Sequence, residues 1–190
     1  MRTIFAFDTA TTVSTCALVR DGELLGVRRA EARSVLAAAD ELMRAVGVAP
    51  RDLDGIVVGT GPGSFTSIRM GLATARGLEL ALGVPVAGVS TLHAFSGGKP
   101  VIDARRGEVF SDGPTLSRPE DLAVAGLRLV GDGALRYRAL FESGGAEIPP
   151  DDDPAHVPAA ERLIAHATSF GSAEAIEPLY LRAPDAKPAP

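Results

Sequence analysis

Two segments of this 190-residue chain set chemistry-bearing side chains at the end of apolar runs. Asp8-Thr9-Ala10-Thr11-Thr12 follows the run Ile4 to Phe7, so a carboxylate and several hydroxyls gather where a strand turns back. That set suits Mg²⁺ or a phosphate. It equally suits the plain task of satisfying turn amides with Asp8 and Thr9. Gly59-Thr60-Gly61-Pro62-Gly63-Ser64-Phe65-Thr66 follows the second run and leads into helical spacing, so its amides stand at a helix N-terminus, where an anion is favoured. The loop is neither a Walker A motif, since no lysine follows its last glycine, nor G-x-G-x-x-G. Ser64 alternatively does no more than cap the helix. A third carboxylate, Asp103, closes Val101-Ile102 as Asp8 closes Ala6-Phe7. The expected set for residual nucleotide or phosphate binding is therefore Asp8, Thr9, Gly61, Gly63, Ser64, Thr66 and Asp103.

Other chemistries are excluded by spacing. His93, His156 and His166 are far apart and form no H-x-x-x-H pair, so no zinc protease and no metal site is expected. Ser64 lacks the G-x-S-x-G frame of a serine hydrolase, and no catalytic residue is assigned. Cys16 is the sole cysteine, which rules out an intramolecular disulfide or a Cys-based zinc site and suits a reducing compartment. The net charge of -5 opposes free-standing nucleic-acid binding, which needs clustered Lys and Arg. Any RNA contact has to be shared with a basic partner. Neither a signal peptide nor about 18 uninterrupted apolar residues is found, so a cytoplasmic protein is expected.

The elements that must hold these residues can be read from periodicity. Strands are expected at Arg2 to Phe7, Val13 to Val19 and Leu24 to Val27, with Asp21-Gly22 as a hairpin signal. A helix is expected from Arg33 to Val46, then a short buried strand at Gly55 to Gly59, a helix ending near Gly83 and a strand at Val84 to Val89. The second half repeats this order in shorter form. Val101-Ile102-Asp103 echoes Ala6-Phe7-Asp8, and Leu129-Val130-Gly131-Asp132-Gly133 echoes Val57-Val58-Gly59-Thr60-Gly61. Asp151-Asp152-Asp153 among prolines reads as a solvated connector, Pro158 to Ala167 as a closing helix, and 184–190 as a disordered tail. A third strand matching Leu24 to Val27 is expected after Phe110, yet Ser111-Asp112-Gly113-Pro114 follows at once, so either this lobe is pruned or segments are omitted there.

Phe7-Asp8-Thr9-Ala10, Gly61-Pro62-Gly63-Ser64-Phe65-Thr66 with Ile68-Arg69-Met70-Gly71, Gly88-Val89-Ser90-Thr91-Leu92 and Glu177-Pro178-Leu179-Tyr180-Leu181-Arg182 resemble, in order and spacing, the signatures of the TsaB (YeaZ) family. Ile102 to Val109 is similar to that family's second-lobe hairpin, so the likeness spans most of the chain. Departures are Ser67, where the family usually has glycine, and Arg33-Ser34, where a His-Ser pair is common. The resemblance implies an α/β fold of two actin-like (ASKHA, ribonuclease H-like) lobes, each a mixed sheet with helices: a lobe at 1–97 and an abbreviated one at 98–183. It further implies a scaffold without catalytic residues or cofactor of its own, save residual ATP or ADP binding in the complex. Its partner would be a TsaD-like transferase, with a TsaE-like ATPase and tRNA reached through the complex, in forming N6-threonylcarbamoyladenosine at position 37 of tRNA. Two rivals stay open: a small ATP-dependent kinase of the same fold, using Asp8 and Asp103, and a homodimeric structural protein.

A docking surface is expected on two helices. On a wheel, Phe65, Ile68, Leu72 and Ala75 face inward, whereas Met70, Thr74, Gly77 and Ala81 form a second stripe of small, largely apolar residues. Ala38, Leu42 and Ala45 flank the apolar arc of the first helix. The seven together are the expected partner interface.

Overall fold

The computed structural model describes residues 2–31 and 34–182; Arg33 and the tail expected at 184–190 lie outside them. β1 (Thr3–Asp8), β2 (Ser14–Arg20) and β3 (Glu23–Ala30) form an antiparallel meander. β4 (Gly55–Gly59) and β5 (Val86–Val89) extend it in parallel, giving the order β3-β2-β1-β4-β5. The central strand β1 is buried throughout, which is why its sequence is a nearly unbroken apolar run rather than an alternation.

Alternation still decides which face each side chain takes. Phe5, Phe7, Cys16, Leu18, Ile56 and Val58 share one core with the two long helices α1 (Val35–Val46) and α2 (Phe65–Leu82). Ile4, Ala6, Ala17, Val57, Ala87 and Val89 face the other way. α1 buries Val35, Ala38, Ala39, Leu42 and Met43 and ends on Gly47 in the left-handed region at φ 67°.

The second sheet repeats the first. β6 (Lys99–Arg105), β7 (Glu108–Ser111) and β8 (Thr115–Ser117) are antiparallel neighbours, and β9 (Leu129–Val130) joins β6 in parallel, in the order β8-β7-β6-β9. This is the β3-β2-β1-β4 pattern over again. The third strand expected from the first lobe is present: β8 spans only three residues, Thr115–Ser117, placed just beyond the Gly113-Pro114 turn. A single 3-10 turn at Pro119–Asp121 stands where α1 stood in the first lobe. The helices here, α3 (Asp132–Arg136) and α4 (Arg138–Ser143), are short.

The chain then goes back. α5 (Ala160–Ile164) buries Ala160 and Leu163 against the Ile4 and Ala6 face of the first sheet. Gly171 bridges to Val86 of β5, and Ala173 and Ile176 join the core beneath α2. A second lobe running to residue 183 is thus not what the packing gives, since from Ala160 to Tyr180 the chain covers the first sheet. The apolar second face of that sheet needed a cover, and this segment provides it.

Candidate functional site

Asp8 is fully buried, and its neighbours account for its carboxylate. Oδ2 accepts the Thr91 hydroxyl at 2.6 Å, and Oδ1 accepts the Ala10 amide at 2.8 Å. The Thr91 oxygen in turn accepts the Gly61 amide at 3.1 Å, so one hydroxyl serves as donor and acceptor at once. Gly59 lies directly against the carboxylate: a Cβ built there would stand 1.7 Å from Oδ2. Burial pushes the Asp8 carboxyl above its ordinary value, opposed by the bonds from Thr91 and Ala10. Thr9 is equally sealed, its hydroxyl donating to the Ser67 carbonyl of α2 at 2.7 Å. The Thr91 hydroxyl, the Ala10 amide and the Ser67 carbonyl are thus the partners of these two side chains.

A cleft of about 840 Å³ lies between the lobes. Of the expected phosphate set, Gly63, Ser64, Thr66 and Asp103 line it; Asp8, Thr9 and Gly61 do not. Ser64 caps α2, its hydroxyl accepting the Ser67 amide at 3.5 Å. Gly63 packs on the first-lobe turn so closely that a Cβ would meet the Ala10 carbonyl oxygen at 2.2 Å, and the Ser64 amide donates to that same oxygen at 2.8 Å. The two loops that would flank a phosphate are therefore in direct contact.

Asp103 is held by cations. Its side chain is only 6% exposed, lies 3.0 Å from Arg136 and 3.3 Å from Arg105, and also accepts the Arg105 amide at 2.9 Å. Beside it Asp132 accepts the Asp103 amide at 2.9 Å, and burial raises its carboxyl above the usual range. Arg69 and Arg182 also line the cleft, and both are committed within the protein. Arg69 donates to the Tyr180 hydroxyl at 3.0 Å and lies over the Phe65 ring, while Arg182 reaches the Ala104 carbonyl and Glu108. Sequence reasoning gave no role to Thr91, Tyr180, Arg69 or Arg182; all four find partners more than seventy residues away, and no spacing rule announces such pairs.

The three histidines stay apart from this cleft and from any common ligand. His93 and His166 are exposed and stacked at 4.1 Å. His156 is buried; Nδ1 accepts the Gly131 amide at 3.1 Å, so Nε2 carries the hydrogen facing the Pro149 carbonyl at 3.3 Å.

On the outer side of α2, Gly77 and Ala81 are exposed, Met70 and Thr74 half-buried. Leu80 between them is 90% exposed, and a Cβ at Gly77 would meet nothing. On α1 the picture is divided: Ala45 is exposed, whereas Ala38 and Leu42 sit in the first core.

Comparison with known proteins agrees with this architecture. The family model for TsaD, tRNA N6-adenosine threonylcarbamoyltransferase, matches residues 26–112. An uncharacterised protein of Mycobacterium tuberculosis is 35% identical over 98% of this chain and 94% of its own length. The tRNA threonylcarbamoyladenosine biosynthesis protein TsaB of Escherichia coli is 34% identical over 56% of this chain and 52% of its own. The chain thus spans about half the length of that named relative. YeaZ from Pseudomonas aeruginosa superposes with a TM-score of 0.79 at 28% identity, covering 95% of this chain and 100% of that one. Its actin-like pair of mixed sheets is the pair described above, and with the sequence likeness this makes the chain a member of the TsaB (YeaZ) family.

Proposed function

We propose that this protein is a non-catalytic subunit that binds and supports a TsaD-like transferase in forming N6-threonylcarbamoyladenosine at position 37 of tRNA. The named relatives are proteins of tRNA threonylcarbamoyladenosine biosynthesis, and residues 26–112 resemble the transferase itself. The observation that carries the non-catalytic reading is the sealed Asp8: a carboxylate satisfied by Thr91 and Ala10, with Gly59 beneath it, is not offered to a metal or a phosphate in the cleft. A TsaE-like ATPase, tRNA and any residual ATP or ADP are met through the complex, in the cytoplasm.

Docking is assigned to the outer side of α2, with Thr74, Gly77, Leu80 and Ala81 as its centre and Ala45 of α1 at its flank. Burying a leucine as exposed as Leu80 contributes about 2 kcal/mol, and the small neighbours let a second helix approach closely. The same stripe offers a second copy of the chain a place to dock, so homodimer and complex would compete. To test this, the tagged chain is co-expressed with a TsaD-like protein. Ala81→Arg should abolish co-elution and tRNA modification while leaving melting of the isolated protein unchanged. Unimpaired co-elution would move the interface elsewhere. Saturable ATP turnover lost on Asp8→Asn or Asp103→Asn would overturn the non-catalytic reading and establish the kinase instead.

A further inference from the structure

The chain crosses between the lobes twice, before β6 and before α5. The two crossings lie side by side, the Ala159 amide donating to the Ala94 carbonyl at 2.8 Å. Two adjacent crossings make a hinge, which by itself leaves the cleft free to open. A third tie is not a crossing of the same kind: the segment 176–182, after covering the first lobe, ends on the second.

On the first-lobe side Ile176 packs into the core beneath α2, and the Leu179 amide donates to the Thr60 carbonyl at 2.8 Å. The Tyr180 ring stacks on Phe65 at 4.7 Å, and its hydroxyl takes the bond from Arg69. The very next residue belongs to the other lobe. Leu181 packs with the Ile102 and Phe110 cluster, and Arg182 donates to the Ala104 carbonyl at 2.7 Å and pairs with Glu108 of β7. Consecutive Cα atoms are separated by about 3.8 Å, so there is no slack between the two anchorages. The lobes cannot part by more than a fraction of that distance without one anchorage letting go.

We propose that residues 176–182 are a latch that fixes the spacing of the lobes and holds the cleft closed. The second-lobe anchorage is the one that releases. The first is a stacked aromatic pair backed by core packing, whereas the second hangs on Leu181, the bond to the Ala104 carbonyl and one ion pair whose partners are 25% and 34% exposed, within reach of screening by salt. Opening of the cleft is thereby tied to the N-terminal turn of α2, where Phe65 and Arg69 hold the strap.

The test uses the full chain with spin labels at Glu41→Cys and Glu120→Cys, both exposed and on different lobes, while buried Cys16 stays unlabelled. The wild-type background should give one narrow distance distribution. Arg182→Ala should broaden it towards longer distances and speed amide exchange in residues 101–111 by about tenfold or more, as expected for loss of charge-assisted bonds. Residues 55–59 should keep wild-type protection. Arg182→Lys should not restore closure, because one ammonium cannot span a carbonyl and a carboxylate as the guanidinium fork does. Glu108→Gln, which keeps the shape and removes the charge, provides a second break of the same anchorage. An unchanged distance distribution in both Arg182→Ala and Glu108→Gln, or exchange that rises equally in 55–59 and 101–111, would overturn the latch.

Discussion

The hydroxyl of Thr91 and the carboxylate of Asp8, 83 residues apart in sequence, are joined by a buried bond of 2.6 Å. Thr91 follows β5 and Asp8 ends β1, so the bond ties the tips of two strands that β4 separates. Thr91→Val keeps the shape and removes the bond, leaving Asp8 Oδ2 and the Gly61 amide without partners. At about 1–3 kcal/mol for each buried unsatisfied group, a loss of about 3 kcal/mol is expected in urea unfolding, while Thr91→Ser should cost about 1 kcal/mol. Equal losses in the two variants would mean that the methyl group, not the bond, is what matters.

The pH dependence of stability should carry the signature of Asp8. Burial raises its folded-state carboxyl above the ordinary 3.8, so the unfolded chain gives up this proton first as pH rises. The folded state is then penalised progressively from about pH 4 up through the raised value. Asp8→Asn removes the titration, and the melting temperature of this variant relative to wild type should climb from about pH 4 upward until the raised value is passed. A constant difference over that range would show that Asp8 titrates as it does in the unfolded chain.

Two glycines should respond in opposite directions to the same substitution. Gly59→Ala drives a methyl group into Asp8 Oδ2 inside a packed core, and should destabilise by about 3 kcal/mol or prevent folding. Gly77→Ala points a methyl group into open space on α2 and should stabilise the isolated protein by about 1 kcal/mol through helix propensity. If the docking face is as assigned, Gly77→Ala should at the same time weaken co-elution with the transferase. Calorimetry and pull-down on the one variant separate these effects.

The isolated chain should bind tRNA weakly and without sequence preference at physiological salt, since its net charge is -5 and three of the arginines along its cleft are held by its own groups. A filter-binding titration that saturates at submicromolar protein would contradict this.

The succession of strands and helices in the first lobe and its repetition in the second were legible because both rest on local patterns: apolar runs closed by Asp8 and Asp103, and glycine turns at Gly59 and Gly131. β8 escaped because three residues are too few to show an alternation. The inward stripe of α2 was read correctly at Ile68, Leu72 and Ala75, where helical spacing alone decides burial. Ala38 and Leu42 show the limit of that method, since a wheel tells which residues share a side and not how much of the arc the sheet covers. The site divided in the same way. Ser64 as a helix cap follows from its neighbours, whereas the sealing of Asp8 depends on Thr91, which only the folded sheet brings near.

The return of α5 and the segment to Tyr180 onto the first sheet bears on how the protein is made. The first lobe is discontinuous: its strands leave the ribosome early, but the cover for Ile4, Ala6, Ala17, Val57 and Ala87 leaves only after the whole second sheet. During synthesis, then, the smaller sheet can be complete while the larger one still shows an apolar face to water. Truncation before Ala160 should therefore give an aggregating product, not a folded half, and the nascent chain has a long interval in which a chaperone or an early-arriving partner finds that face open.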